Sequence, residues 1–189
     1  LEDANQRLED TVEVRTRELN ASNRALQERE AFFRAIFENA VIGISSLSPD
    51  LVRQRVNRAF VDFTGYGEAA LLVGSALDLI APDERERIRL AYTDLAAGRH
   101  SIYRTETRFM RADGSQRWAD IQLTAIHAED GQVTSLLATV LDITDRRAMA
   151  DELERQFALL HALLDTIPNP IFYKGADSRF LGCNQAYEQ

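Results

Sequence analysis

The sequence predicts an α+β fold: a five-stranded antiparallel sheet with short helices on one face and a long helix at each end. Two Asp-Gly pairs, beginning at Asp113 and Asp130, separate three strand-like segments. Two shorter apolar segments, 41–46 and 51–56, precede them and are joined by a Ser-Pro-Asp turn. Because strands are followed by short helices and then by strands again, we expect a sheet covered on one face.

Residues 1–38 predict one helix, because they contain neither Gly nor Pro and are rich in Glu, Arg, Ala and Leu. Apolar residues recur every seven positions, which is typical of a dimeric coiled coil, and a second, half-polar seam makes that coil weak. We therefore expect a homodimer, with a solitary solvated helix as the alternative. The predicted dimer seam is Val12, Leu19, Leu26 and Phe33.

The middle of the chain predicts short helices. Asn57 is a candidate N-cap, and Phe60 and Phe63 share one face of the helix that follows. Pro82 suits the first position of a longer helix, which Gly98 ends. On the middle strand of the predicted meander, one face carries Ala119, Ile121, Leu123 and Ala125.

After Ile143 the periodicity changes from that of a strand to that of a charged amphipathic helix. Thr144 is the predicted N-cap of this helix, and Asp145 lies in its first turn. Apolar residues then follow a 4-3 spacing from Met149 to Ile167, where prolines end the helix. A strand that runs directly into a long helix predicts a point of mechanical coupling.

The end of the chain repeats an earlier part at a shift of 127 residues, which aligns Ile44 with Ile171 and Asn57 with Asn184. The order of helix, strand, turn and strand is the same in both copies. The last residues therefore predict the opening of a second copy. The chain begins at Leu1 rather than Met, and we expect it to be a piece of a longer protein.

The composition argues against several classes of protein. Net charge is −8 over 189 residues, so neither nucleic acid nor an anionic membrane is an expected partner. No apolar run approaches the ~18 residues of a membrane span, and no signal peptide is visible. The single cysteine, Cys183, fits a reducing compartment, and the three scattered histidines predict no metal site.

Several motifs together resemble a PAS domain over about residues 32–147. They are Asn57-Arg58-Ala59-Phe60, Phe63-Thr64-Gly65-Tyr66, Asp113-Gly114, Trp118-Ala119-Asp120 and Asp142-Ile143-Thr144. The N-terminal helix resembles the signalling helices that precede PAS domains in bacterial sensors. The resemblance implies a signalling helix at 1–31, a PAS domain at 32–144, a connecting helix at 145–167 and the start of a second PAS domain at 168–189.

By this resemblance, the signal-transmission residues are Asp142, Ile143, Thr144, Trp118 and Asp120. The implied protein is a cytoplasmic bacterial sensor histidine kinase of a two-component system, with any membrane anchor upstream of this segment. We expect no catalysis in these 189 residues, and an output domain downstream. The alternatives are a cyclic-di-GMP cyclase or phosphodiesterase as the parent, or a ligand-free dimerisation spacer.

The resemblance also implies a ligand pocket between the sheet and the short helices. A packed core with room at most for a small molecule is favoured over a cofactor site. The His of haem-binding relatives and the Cys motif of photoreactive flavin relatives are absent, so haem and photoreactive flavin are disfavoured. The predicted lining is Ile44, Ser46, Phe60, Phe63, Leu79, Ile80, Ile88, Tyr103, Ile121 and Leu123.

Overall fold

A computed structural model describes residues 2–188, with side chains from residue 13 onward except that of residue 14. The chain forms two compact units, Leu1–Asp142 and Ile143–Gln189. The first unit begins with a single long helix, α1, at Glu2–Asn39. This confirms the predicted N-terminal helix.

The first unit contains a five-stranded antiparallel sheet with strand order β2-β1-β5-β4-β3, which confirms the predicted sheet. Gly114 and Gly131 have φ angles of 80° and 82° in the two predicted hairpin turns. This left-handed conformation costs glycine little, which is why Asp-Gly marks such turns. The strands are β1 at Gly43–Leu47, β2 at Arg53–Val56, β3 at Ile102–Met110, β4 at Gln116–His127 and β5 at Val133–Asp142.

Short helices connect β2 to β3. They are α2 at Arg58–Thr64, α3 at Glu68–Val73, a 3₁₀ helix at Ala76–Leu79 and α4 at Arg85–Ala96. Pro82 does not begin α4, so that prediction is wrong. The backbone N–H of Glu84 donates to the carbonyl of Ala81, which closes a turn before the helix starts.

The core lies between one face of the sheet and these helices. On β4, the face predicted from alternation is buried, namely Ala119, Ile121, Leu123 and Ala125. Opposite them, Phe60 of α2 and Ile88 of α4 are almost completely buried. Fully burying a side chain of this size contributes about 1.5–3 kcal/mol, so this face holds the unit together.

Asn57 is completely buried and ties three elements of the first unit together. Its Oδ1 accepts from the backbone N–H of Phe60, as predicted for an N-cap, and from that of Ile44. Its Nδ2 donates to the carbonyls of Phe37 and Ile42, at 2.9 Å each. One side chain thus fixes the end of α1 against β1 and the start of α2.

The second unit contains α5 at Thr144–Asp165, β6 at Phe172–Lys174, β7 at Phe180–Cys183 and α6 at Gln185–Glu188. Thr144 is not the N-cap of α5, so that prediction is wrong. Ile143 occupies the cap position, and because its side chain is apolar it makes no capping hydrogen bond.

The second unit repeats the hydrogen bonds of Asn57 at Asn184. Oδ1 of Asn184 accepts from Ile171 N–H, and Nδ2 donates to the carbonyls of Leu164 and Asn169. Each partner lies 127 residues beyond its counterpart in the first unit. The predicted repeat therefore holds for the contacts of the asparagine as well as for the sequence.

Candidate functional site

The end of β5 carries a charged contact. Asp142 is the last residue of β5 and lies opposite Ala119 of β4. Its carboxylate accepts a hydrogen bond from Nη1 of Arg117, also on β4, at 2.5 Å. Both side chains are about one third exposed or more, so the ion pair adds little to stability. Its position at the strand exit is more informative than its energy.

Trp118 and Asp120 lie on the outer face of β4, one on each side of Ala119. The Asp120 carboxylate accepts two hydrogen bonds from Arg104 of β3, at 3.0 Å from Nε and 2.5 Å from Nη2. The guanidinium of Arg108 lies 5.6 Å from the centre of the Trp118 ring. Asp142, Trp118 and Asp120 are thus neighbours on two adjacent strands.

Ile143 and Thr144 belong to the second unit, as the cap position and first residue of α5. The backbone of Ile143 (φ −119°, ψ 14°) leaves the extended conformation, so the chain changes from strand to helix within a single residue. The role of these two residues in signal transmission stays a prediction.

The core of the first unit encloses a cavity of about 10 Å³, roughly the space of one water molecule. Four residues of the predicted lining surround it, namely Phe60, Ile80, Ile121 and Leu123. The rest of the lining comes from Ser45, Arg53, Ala76, Tyr92, Phe109, Ala138 and Val140.

The other residues of the predicted lining lie elsewhere. On β1 the buried residues are Gly43, Ser45 and Leu47, so Ile44 and Ser46 lie on the other face of the strand. The prediction that Ile44 and Ser46 face the core is therefore wrong, because the alternation is shifted by one residue. Tyr103 is partly buried, and its hydroxyl accepts from Arg87 at 3.2 Å. Phe63, Leu79 and Ile88 belong to the packed core rather than to the cavity wall.

Arg53 is the functional candidate that sequence reasoning missed. Strict alternation from the buried Val56 directs Gln54 into the core and Arg53 out of it. A β-bulge shifts the register instead, because Ser46 pairs with Arg55 and Leu47 pairs with Arg53, which leaves Gln54 as an extra residue. Arg53 is therefore only 5% exposed, and its guanidinium lies 5.4 Å from the centre of the Phe60 ring.

The predicted dimer seam of α1 is exposed where its side chains are described. Leu19, Leu26 and Phe33 are 61%, 65% and 57% exposed. Val12 lies outside the residues whose side chains are described. Within the described residues, no group of three or more His, Cys, Asp or Glu side chains can hold a metal ion.

Two family models match the chain. A model described as the PAS fold matches residues 53–140, and one described as the PAS domain matches residues 158–189. Together they cover more than half of the sequence, and the five-stranded antiparallel sheet with helices matches the PAS fold. The chain belongs to the PAS family. Asn57 lies in the first match, and its partners Phe37, Ile42 and Ile44 precede that match. Asn184 and its partners all lie in the second match.

Curated relatives of this PAS chain include signalling proteins. The sensor histidine kinase TmoS of Ectopseudomonas mendocina is 27% identical over 137 residues, which are 72% of this chain and 14% of that protein. The blue-light-activated histidine kinase 1 of Erythrobacter litoralis is 28% identical over 63% of this chain and 36% of its own length. The probable diguanylate cyclase DgcE of Escherichia coli is 23% identical over 66% of this chain. The chain thus spans only a small part of these relatives.

Solved structures also resemble this PAS chain. The PAS domain of an HTR-like protein from Haloarcula marismortui matches 66% of this chain and 99% of its own, with TM-score 0.56 and 24% identity, which shows the fold. An RNA-binding light-oxygen-voltage receptor matches 68% of this chain and 37% of its own, with TM-score 0.57 and 26% identity. Because these relatives include light-responsive proteins, the expectation against a photoreactive flavin stays a prediction.

No helix among the described residues is long and apolar enough to cross a membrane.

Proposed function

We propose that this chain is the sensory and dimerisation region of a bacterial sensor histidine kinase in a two-component system. The PAS core relays its state through Asp142, Ile143 and Thr144 to α5, and catalysis belongs to another domain of the parent protein. The Asp142–Arg117 contact at the strand exit is the observation that carries this proposal. The similarity to two histidine kinases supports the class of parent.

The proposed organisation assigns residues 1–31 to a signalling helix, 32–144 to a PAS domain, 145–167 to a connecting helix and 168–189 to the start of a second PAS domain. The PAS match at 158–189 supports the last assignment. The region acts in the cytoplasm, with any membrane anchor upstream. α5 then conducts a signal towards a second sensory module.

The proposed assembly is a homodimer through α1 and the PAS domain. The exposed leucines of α1 support it, since a helix without packing partners is marginal in water. Helix α5 supports it as well, because Met149, Leu153 and Leu160 expose more than half of their surface at 4-3 spacing. A rotation of paired helices converts a small shift at the sheet into an output.

A second candidate is the sensory region of a cyclic-di-GMP cyclase or phosphodiesterase, and the similarity to a probable diguanylate cyclase favours it. The relay through Asp142 is the same in both cases, and the output domain of the parent protein distinguishes them. A ligand-free spacer is the third alternative, which predicts no change of output when the core is altered.

The relay is tested by Asp142→Ala in the intact parent protein, with its output activity as the measurement. We expect the ratio of stimulated to basal activity to change at least about threefold, while the melting temperature stays within about 2 °C because the ion pair is exposed. Arg117→Ala should have the same effect, and the double variant should add nothing further.

Asp62→Ala is the matched control. It removes an exposed ion pair with Arg58 on α2, away from the strand exit, and should leave the output unchanged. A wild-type response in both Asp142→Ala and Arg117→Ala would contradict the relay.

A further inference from the structure

The cavity in the PAS core contains a charge without a countercharge. Arg53 stays protonated in proteins, and burying its charge is costly unless an anion or several hydrogen-bond acceptors compensate it. Among the described residues, no carboxylate forms a salt bridge with Arg53. Asp78, the acidic group whose field reaches it, is exposed and accepts from the backbone N–H of Ser75 at 2.9 Å.

Two of the three guanidinium nitrogens have partners. Nη1 donates to the carbonyl of Leu71 at 3.0 Å, and Nη2 donates to that of Ala76 at 3.4 Å. These bonds connect β2 to α3 and the 3₁₀ helix, so the burial of Arg53 has in part a structural purpose. Nε has no hydrogen-bond partner although it is completely enclosed. A side chain kept only for the two carbonyls leaves this donor unexplained.

A second enclosed donor borders the same cavity. Ser45 is 1% exposed, and its Oγ has no hydrogen-bond partner. Each unmet buried donor costs about 1–3 kcal/mol, so two of them in one cavity call for an acceptor. Ser45 lies on β1, next to the strand that carries Arg53.

Tyr92 is the third polar side chain of the lining. Burial raises the pKa of its phenol to about 12, and the positive charge of Arg53 opposes that rise. The phenol is therefore neutral at pH 7 and supplies no countercharge. The lining holds one cation, two neutral hydroxyl groups and otherwise apolar side chains, which excludes a metal cation as the occupant.

The size of the cavity limits what fits. About 10 Å³ admits one small atom or group, so neither a nucleotide nor a citrate-sized acid enters the present packing. A single water offers an acceptor, but it leaves the charge of Arg53 uncompensated. A small anion satisfies the charge and the donors together.

We propose that the PAS core binds a single halide ion, held by Nε of Arg53 and Oγ of Ser45. The binding site stands on the geometry of the cavity alone. That the anion is a stimulus for the relay through Asp142 rests on the proposed function.

The test is thermal unfolding of the 189-residue chain while sodium chloride or sodium bromide replaces sodium gluconate at constant ionic strength. Gluconate is too large for the cavity and serves as the reference anion. We expect a saturable rise of about 3 °C in melting temperature with at least one small anion. No saturable rise with any of them would show that a water or empty space fills the cavity, which overturns the proposal.

Two variants connect the rise to the site. Arg53→Met keeps the length of the side chain without its charge and should abolish the response. Ser45→Ala keeps Arg53 and its two carbonyl bonds, and should weaken binding about tenfold through one lost hydrogen bond to the anion. If Arg53→Met does not fold, the anion response of Ser45→Ala still shows whether the anion binds in this cavity.

Arg58→Met is the matched control, because it removes the same charge at an exposed position of α2. An unchanged response in folded Ser45→Ala and Arg53→Met proteins would contradict the assignment of the site. Failure of anion binding leaves the Asp142→Ala result untouched, so the two proposals fail independently.

Discussion

At the scale of single residues, Asn57 contributes more to holding the first unit together than its size suggests. It satisfies two backbone N–H groups and two carbonyls of three elements, and it is completely buried. Removing such a side chain leaves several polar groups without partners inside the protein. The same bonds recur at Asn184, so each unit uses an asparagine to join a helix to the segment that opens its sheet.

We expect Asn57→Ala to lower the free energy of unfolding by about 3 kcal/mol, because a helix cap and buried hydrogen bonds are lost together. Denaturant unfolding measures this change. Asn20→Ala, at an exposed position of α1, is the control and should change stability by less than about 0.5 kcal/mol. If Asn57→Ala changed the free energy of unfolding as little as the control does, water would have to replace the hydrogen bonds of Asn57, which would contradict this prediction.

Glu84 precedes α4 and connects it to β3. Its carboxylate accepts from the hydroxyl of Thr107, and from Nε of Arg108 at 2.8 Å. Burial raises the pKa of Glu84, but the hydrogen bonds from Thr107 and Arg108 outweigh it and hold the pKa below its ordinary value of 4.5. A carboxyl whose pKa is lower in the folded than in the unfolded state stabilises the fold above pH 4.5.

We therefore expect the stability that Glu84 provides to decline as the pH falls below 4.5 and through its lowered pKa. Glu84→Gln should be less stable at pH 7 and should lose less stability than the wild type between about pH 5 and 3. Urea unfolding at a series of pH values measures both slopes. Thr107→Val, which removes one donor, should give an intermediate slope, and parallel curves for all three proteins would refute this account.

At the scale of elements, α1 exposes the leucines that a partner helix would cover. We expect Leu19→Glu with Leu26→Glu to shift the mass of the chain by light scattering from dimer towards monomer, since two charges enter the seam. Asn20→Glu with Gln27→Glu adds the same charge one position beyond each seam residue and should leave the mass unchanged. A monomeric wild-type chain would contradict the proposed dimer.

The hairpin of β1 and β2 shows why a local pattern is insufficient for an element at the edge of a sheet. Its bulge arises because Leu47 and Arg53 pair out of step with Ser46 and Arg55. Alternation within β2 alone places Arg53 on the outside, whereas pairing with β1 places it in the core. The register is a property of two strands, and neither strand contains it by itself.

At the scale of the whole molecule, the two units differ in how much each buries. The first has a five-stranded sheet with a covered face, whereas the second has two short strands. Phe172 and Phe180 of the second unit remain 50% and 54% exposed. Two-stranded sheets are marginal in water, so the strands of the second unit should open more easily.

We expect backbone amides of β6 and β7 to exchange hydrogen at least about a hundredfold faster than those of β4 and β5, as measured by hydrogen-exchange mass spectrometry. Amides at the centre of β4 serve as the internal reference for global unfolding. Equal protection in both sheets would show that the second unit is as stable as the first.

Features that depend on near neighbours in sequence could be predicted. Asp113-Gly114 and Asp130-Gly131 predicted the hairpins, because few residue types adopt the left-handed conformation of such a turn. Asn57 predicted the start of α2, because its side-chain oxygen can accept a hydrogen bond from the first turn of a helix. The alternation along β4 separated its buried from its exposed face, because β3 pairs with β4 without a bulge and β5 does so as far as Ile126.

Tertiary structure decided what surrounds the cavity. Ser45, rather than the predicted Ile44 and Ser46, lines the cavity. Sheet pairing, not apolar content, determined which side chains of β1 point into the core. Arg53 entered the core because Gln54 is accommodated as an extra residue against β1. The sequence by itself determined a PAS fold with its strand-to-helix exit. Only packing placed a buried cation at its centre, because burial and register depend on pairs of segments distant along the chain.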